Sequence, residues 1–342
     1  MTSDGTAAAA ADRPTSSGAD VLLGKADPPS QGDRAVATAT PPRRPERRSP
    51  AAASRKGPSL WMLAPALAFF AVFGLVPLVG TVVLSFCTWN GLGSPTFSGL
   101  DNWTSVLQDG STYHALWLTV LMCVATFVVQ FPISLLLGVF MAGQQRYRAV
   151  FSVLYFLPLL FSATAIGIAF MNLLDPNFGL SSALHLGVLQ QDWLGSPTLA
   201  FWVIIAVVSW CFIPFHSLLY QGGARQIPKS LYEAAQLDGA GRVRCFFSIT
   251  LPQLKYTMVT STTLMIVGAL TSFDLIFVMT KGGPGDATRI LPVDMYLDGF
   301  QSNQMGVAAV IAVILIVLGL SFSLALYRLS GSNRMESQME GM

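Results

Sequence analysis

Six uninterrupted apolar stretches constrain this chain more than any other feature: residues 60–86, 116–141, 149–174, 199–220, 258–279 and 305–327. Crossing a hydrocarbon core of about 30 Å takes about 20 apolar residues in helix, and each stretch is long enough. Four of them contain no Asp, Glu, Lys, Arg or His; His216 in the fourth and Asp274 in the fifth are the exceptions. A membrane β-barrel would instead alternate apolar and polar residues over segments of about ten. Pro65, Pro77, Pro132, Pro158 and Pro214 fall within the stretches. Membrane helices tolerate proline, so kinks are expected there and not breaks.

Composition supports the same class. Only 11% of the 342 residues are charged, against roughly 25% in soluble domains. That is too little to cover a water-soluble surface, which excludes a soluble enzyme. A net charge of +2 also excludes a disordered or nucleic-acid-coating protein. The expected fold is an all-α integral membrane protein with six transmembrane helices.

Residues 1–58 differ in kind. Eight prolines, many Ala and Ser and few large apolar residues cannot offset the entropy of ordering, so a disordered N-terminal tail is expected. No apolar run precedes Leu60, so no signal peptide is expected either. The remaining divisions are 59–110 for the first helix and outer loop, 111–328 for a helical core and 329–342 for a second tail.

The basic residues set the orientation. With the N-terminus inside, the inner segments hold 18 of the 20 Lys and Arg, leaving Lys281 and Arg289 outside. Both termini are therefore expected in the cytosol. Cys87, Cys123, Cys211 and Cys245 have no C-x-x-C spacing. His114, His185 and His216 are too scattered for a metal site and read as loop or packed helix residues.

The longest inner loop, 222–255, is written as helix. Ser230 and Glu233 have capping-box spacing, with Ser230 as the expected N-cap. Leu231, Ala234, Ala235 and Leu237 supply a face, and Gly239 and Gly241 are placed to end it. A second segment, 243–251, is expected to stop at Pro252. Such a helical pair with exposed Ala and Leu suits docking; its basic residues would equally suit a helix lying on headgroups.

Glu233, Ala234, Ala235, Gly239, Ile249, Leu251 and Pro252 stand at the spacing of the EAA signature. The chain here resembles the permease subunits of binding-protein-dependent ABC importers. The run from Ile227 to Ala240, Gly99 to Trp103, Trp210 with Pro214-Phe215, and Phe273 to Pro284 resemble the carbohydrate branch, the relatives of the maltose and glycerol-3-phosphate permeases. The branch usually has Gly where Lys281 stands, and Gly222-Gly223-Ala224-Arg225-Gln226 also departs from it.

The resemblance covers about residues 60–328. It implies a type I ABC importer permease fold with a cytoplasmic EAA coupling-helix loop formed by Glu233, Ala234, Ala235, Asp238, Gly239, Ile249, Leu251 and Pro252. The implied partners are a second homologous permease subunit, a cytoplasmic ABC ATPase dimer and an extracellular solute-binding protein, in a prokaryotic cell membrane. The chain has no G-x-x-x-x-G-K-[ST], so it is expected to bind no cofactor and not to be an enzyme. ATP and Mg would belong to the ATPase. Gly282-Gly-Pro-Gly285 reads as a turn.

Sugars are recognised by aromatic faces and planar polar groups. Asn172, Trp210, Phe212, Ser272, Phe273, Asp274 and Phe277 are the candidates for the solute path, with a lipid-facing or packing role as the alternative for each aromatic. A carboxylate within an apolar helix needs a cavity or a partner, which singles out Asp274. The solute is expected to be a sugar, with glycerol-3-phosphate or a polyol as alternatives. A six-helix secondary transporter would need more intramembrane charges.

Overall fold

A computed structural model describes residues 61, 63–143, 146–179 and 191–330. The expected tail at 1–58, the end of the chain from 331, and His185 lie outside the described residues. The first long helix, α1 (Ala64–Leu84), contains a wide π-type turn at Ala71–Leu75. It is followed by a small hairpin, β1 (Cys87–Thr88) pairing antiparallel with β2 (Thr96–Phe97). Then come α2 (Asp101–Gln108), α3 (Gly110–Met141), α4 (Arg146–Tyr155) and α5 (Ala163–Leu173). The long α6 (Pro197–Gln226) leads into α7 (Lys229–Leu237) and α8 (242–253), whose middle turn Phe246–Thr250 is again π-type. α9 (Lys255–Leu270), α10 (Asp274–Thr280), α11 (Leu291–Tyr296, prolonged by a π turn to Gln301) and α12 (Met305–Ser330) complete the chain.

Among the described residues, α1, α3, α6 and α12 are long and apolar enough to cross a membrane. α9 and α10 make a further span if taken as one helix bent by 41°. Two expectations are corrected here. The stretch 149–174 is not one helix but α4, a 3-10 turn at Leu157–Leu160 and α5. Proline lacks an N–H and disfavours helical geometry at the residue before it, so Pro158 breaks the helix where a kink was expected. Phe161 is extended, and Ser162 restarts the helix by accepting the N–H of Ala165 at 3.2 Å. The stretch 258–279 breaks as well, between Leu270 and Asp274. Thr271 bends its hydroxyl back to Val267 O at 2.9 Å, and the helical geometry is lost over the next two residues. Pro132 and Pro214 behave as expected and lie inside α3 and α6.

Several hydroxyls within the helices bond to their own helix's backbone. The hydroxyls of Thr119 and Thr126 donate to the carbonyls of Ala115 and Met122 at 2.7 and 2.6 Å, and Ser134 donates to Gln130 O. This is how a hydroxyl avoids an unmade bond where no water reaches it.

α3 and α6 form the most extensive helix pair. Their backbones approach because Gly138 has no side chain: a Cβ there would lie 2.6 Å from both Ser217 O and Tyr220 Cβ. Gln221 fastens the crossing by donating from Nε2 to Met141 O at 2.9 Å. Met122, Ile204, Ile276, Ile290 and Val293, all buried, join α3 and α6 to α10 and α11. Val106, Ala115, Leu291, Val310 and Ile311 seat α12 against α2, α3 and α11. No residue of α1 is buried, and its second half rests on α12.

Candidate functional site

α7 and α8 are built as a rigid pair. Pro228, not Ser230, is the N-cap of α7; proline presets the helical φ, and Ser230 falls inside the first turn, so the capping box is not formed. The other end follows expectation. Gly239 takes φ +75°, its N–H donates to Gln236 O at 3.0 Å and that of Ala240 to Ala235 O at 2.8 Å. These two bonds define a Schellman motif with glycine in the left-handed position. Asp238 is the C-cap.

α8 passes through Pro252 without stopping, which corrects the expected boundary. In its π turn the N–H of Leu251 reaches back to Phe246 O. The wider turn leaves room for a proline that has no N–H to place. Tyr232 and Thr250 join α7 to α8 by a hydroxyl pair at 2.8 Å. Ile249 and Leu251 pack against Leu135, Tyr220, Ile227 and Leu254, the buried cluster where α3, α6 and α9 meet the pair. Glu233, Ala234 and Asp238 are exposed, and Leu237 is 91% exposed. The pair is thus fastened at its base and presents Leu237 beside Glu233 and Asp238 at its tip.

A second feature lies between the long helices. Thr126 and Gln130 of α3, Phe212, Phe215 and His216 of α6, and Gly268 and Thr271 at the end of α9 line a cavity of about 320 Å³. His216 is buried and its Nδ1 lies 3.0 Å from Ser261 Oγ. Two aromatic faces, an amide and an imidazole therefore surround one space. That combination can stack on C–H surfaces and exchange hydrogen bonds with hydroxyls.

Of the residues proposed for the solute path from sequence, Phe212 alone lines this cavity. Trp210 meets Phe170 edge-on at 5.4 Å, and Asn172 donates to Ile168 O of its own helix at 2.8 Å. Phe273 and Phe277 stack at 5.0 Å, and both contact Tyr296, which stacks on Phe300. Asp274 is the exposed first residue of α10, and half-buried Ser272 lies in the break before it. Asp274 therefore stands at a helix N-terminus, where the backbone dipole favours a carboxylate. Sequence reasoning passed over Gln130, because an amide does not register as a charge, and read His216 as a packed residue. Both were legible as polar groups at membrane depth.

A third cluster holds the loop after α10. Lys281 takes φ +53°, Gly283 N donates to Thr280 O at 2.9 Å and Thr288 N to Gly282 O at 3.1 Å, so the glycine-rich run is a turn, as expected. Arg289 then pairs through Nε with Asp294 Oδ1 at 2.5 Å and through Nη2 with Asp298 Oδ1 at 3.3 Å. Asp294 is 1% exposed and its Oδ2 has no partner. Burial pushes both carboxyls up, that of Asp298 to about 6, against the opposing pull of Arg289. Sequence reasoning used Arg289 for orientation only and did not see this network.

The family described as "Binding-protein-dependent transport system inner membrane component" matches residues 131–334. This chain belongs to that family. The matched stretch takes in α7, α8, the Arg289 network and all of the described lining of the 320 Å³ cavity except Thr126 and Gln130. The permease is 34% identical to the probable ABC transporter permease protein YurN of Bacillus subtilis (strain 168), over 77% of this chain and 92% of that one. It is 32% identical to the arabinooligosaccharides transport system permease protein AraP of the same organism, over 82% of this chain and 90% of the relative. Its fold matches a chain in the crystal structure of a bacterial ABC transporter that imports the acidic polysaccharide alginate. The TM-score is 0.70 at 22% identity, covering 79% of the permease and 93% of that chain.

Proposed function

We propose that this permease is a membrane subunit of an ATP-driven carbohydrate importer in a prokaryotic cell membrane, and that it imports a neutral sugar. The relative named for arabinooligosaccharides supports a carbohydrate. The cavity supports a neutral one: its lining joins Phe212 and Phe215 to Gln130 and His216, with no Lys or Arg among the described residues. Glycerol-3-phosphate would call for a cation there. The chain crosses the membrane six times, the third crossing being the broken segment 146–173 and the fifth the bent pair α9–α10. Both termini face the cytosol.

The observation that carries the coupling reading is the α7–α8 pair, fixed to α3, α6 and α9 through Tyr220, Ile227 and Leu254 and exposed at Leu237. A cytoplasmic ATPase dimer, which holds the ATP and Mg, receives this tip. Its closure pulls on the base cluster and tilts the same three helices that line the cavity. Glu233, Ala234, Ala235 and Gly239 form the docking surface; Ile249, Leu251 and Pro252 transmit the load. A second permease subunit completes the path, and an extracellular binding protein delivers the solute and sets which sugar is taken.

Uptake by the assembled transporter tests this. Phe212→Ala removes one stacking face, and aromatic contacts contribute about 0.5–1.5 kcal/mol beyond area, so transport of a sugar should fall by roughly 2- to 13-fold. Affinity of the binding protein stays unchanged. Unaltered uptake of every sugar tested would remove the cavity from the path.

A further inference from the structure

A second cavity, of about 1080 Å³, lies between the ends of α3 and α6 and the near side of the α7–α8 pair. Val139 and Ala142 of α3, with Ile227, Tyr232 and Phe246, give it apolar walls. Arg225, Lys229 and Arg242 also line it, and no Asp or Glu does. All three cations are exposed, and among the described residues none has a carboxylate within ion-pair distance. Three unpaired positive charges around one space repel each other, so an anion entering it is attracted by all three.

We propose that this cavity binds the phosphate headgroup of an anionic phospholipid, with its glycerol and upper acyl region against the apolar wall. The placement rests on the reading above, in which α7 and α8 face the cytosol. Basic pockets at the cytoplasmic ends of membrane helices suit lipid phosphates, and the cavity lies at the ends of α3 and α6, two helices long and apolar enough to cross a membrane. A soluble phosphate would use the cations and leave the apolar wall without a role. The lipid sits against the face of α7 that carries Lys229, Tyr232 and Gln236, a face that does not include the exposed Leu237. It joins the docking pair to the span ends and makes the pair's stiffness depend on the charge of the inner leaflet.

The test uses the full chain, reconstituted in bilayers of equal parts phosphatidylcholine and phosphatidylglycerol and then extracted, with retained lipid identified by mass spectrometry. Wild type should retain phosphatidylglycerol in preference. The combined variant Arg225→Gln, Lys229→Gln, Arg242→Gln should lose that preference by on the order of a hundredfold, since each cation near an anionic headgroup contributes comparably. A control removing three exposed cations outside the cavity, Arg244→Gln, Lys255→Gln, Arg328→Gln, should keep it. Ala142→Trp, which puts an indole against the apolar wall and spares the cations, should also weaken it. Equal loss in the control, retention in the combined variant, or retention in Ala142→Trp would each overturn the proposal. Displacement of the lipid by excess inorganic phosphate would assign the site to a soluble anion and overturn the lipid assignment. The readout needs no ATPase, so its failure is separate from any failure of the coupling reading.

Discussion

Gly239 offers the sharpest test of the docking pair because the structure isolates a single cause. A Cβ added there meets no atom within 4 Å, so no steric clash confuses the result. What remains is the backbone: φ of +75° is a conformation that costs an ordinary L-residue about 1–2 kcal/mol. Asparagine tolerates this region best, alanine less and β-branched valine least. A cost of 1–2 kcal/mol shifts the ratio of intact to opened turn by roughly 5- to 30-fold. The two bonds that close it, from Gly239 and Ala240 back to Gln236 and Ala235, are lost together with it. Uptake and ligand-stimulated ATP hydrolysis should therefore fall in the order Asn, Ala, Val. Gly239→Val should approach the upper end of that range while membrane insertion stays normal. Equal activity in all three variants would refute the reasoning, since it would mean that the turn carries no load. So would a loss of the chain from the membrane in Gly239→Ala, which would make the glycine a requirement of folding and not of docking.

Other outcomes follow from the packing and the charges. Gly138→Ala places a Cβ 2.6 Å from Ser217 O and Tyr220 Cβ, so α3 and α6 must separate; overpacking of this kind costs about 1–3 kcal/mol and should appear as a lower melting temperature. Asp298 is more easily protonated folded, at about 6, than unfolded, so the stability it contributes is complete below its ordinary value of 3.8 and is lost as pH rises through 6. Asp298→Asn mimics the protonated form; its melting temperature should match wild type at low pH and exceed it at neutral pH, and the reverse order would exclude the burial argument. A reporter fused at Asp286, in the turn before the Arg289 network, should read as external, and an internal reading would invert the orientation proposed from the basic residues.

Much of the architecture was legible because lipid leaves the backbone few options. Stretches without charges had to become helices, and α1, α3, α6 and α12 did so with shifted ends. α3 begins at Gly110, six residues before its apolar stretch, because Asp109 caps it by accepting the N–H of Ser111 at 2.9 Å. The breaks were not legible in the same way. Pro132, Pro158 and Pro214 look alike in sequence, yet of the three only Pro158 interrupts its helix. α3 and α6, which carry the other two, pack on each other.

The candidate site divides along the same line. The docking pair is local in sequence, so spacing alone gave Gly239 its left-handed turn and gave the pair its two segments. Its base was partly legible, since Ile249 and Leu251 were marked by their spacing, while their partners Leu135 and Tyr220 come from helices far away in the chain. The 320 Å³ cavity is wholly non-local: Gln130, His216 and Thr271 are brought together by three helices. Aromatics drew attention instead, and Trp210, Phe273 and Phe277 were singled out although they pack on Phe170 and Tyr296. Polarity at membrane depth is the better guide than aromaticity, because phenylalanine is at home in lipid whereas an amide or imidazole there needs a partner. On that criterion Gln130 and His216 stand out in the sequence, and α9, which supplies Ser261 to His216 and follows directly on Leu254 of the docking base, is the element that would carry a pull on α7 and α8 to the cavity in the proposed mechanism.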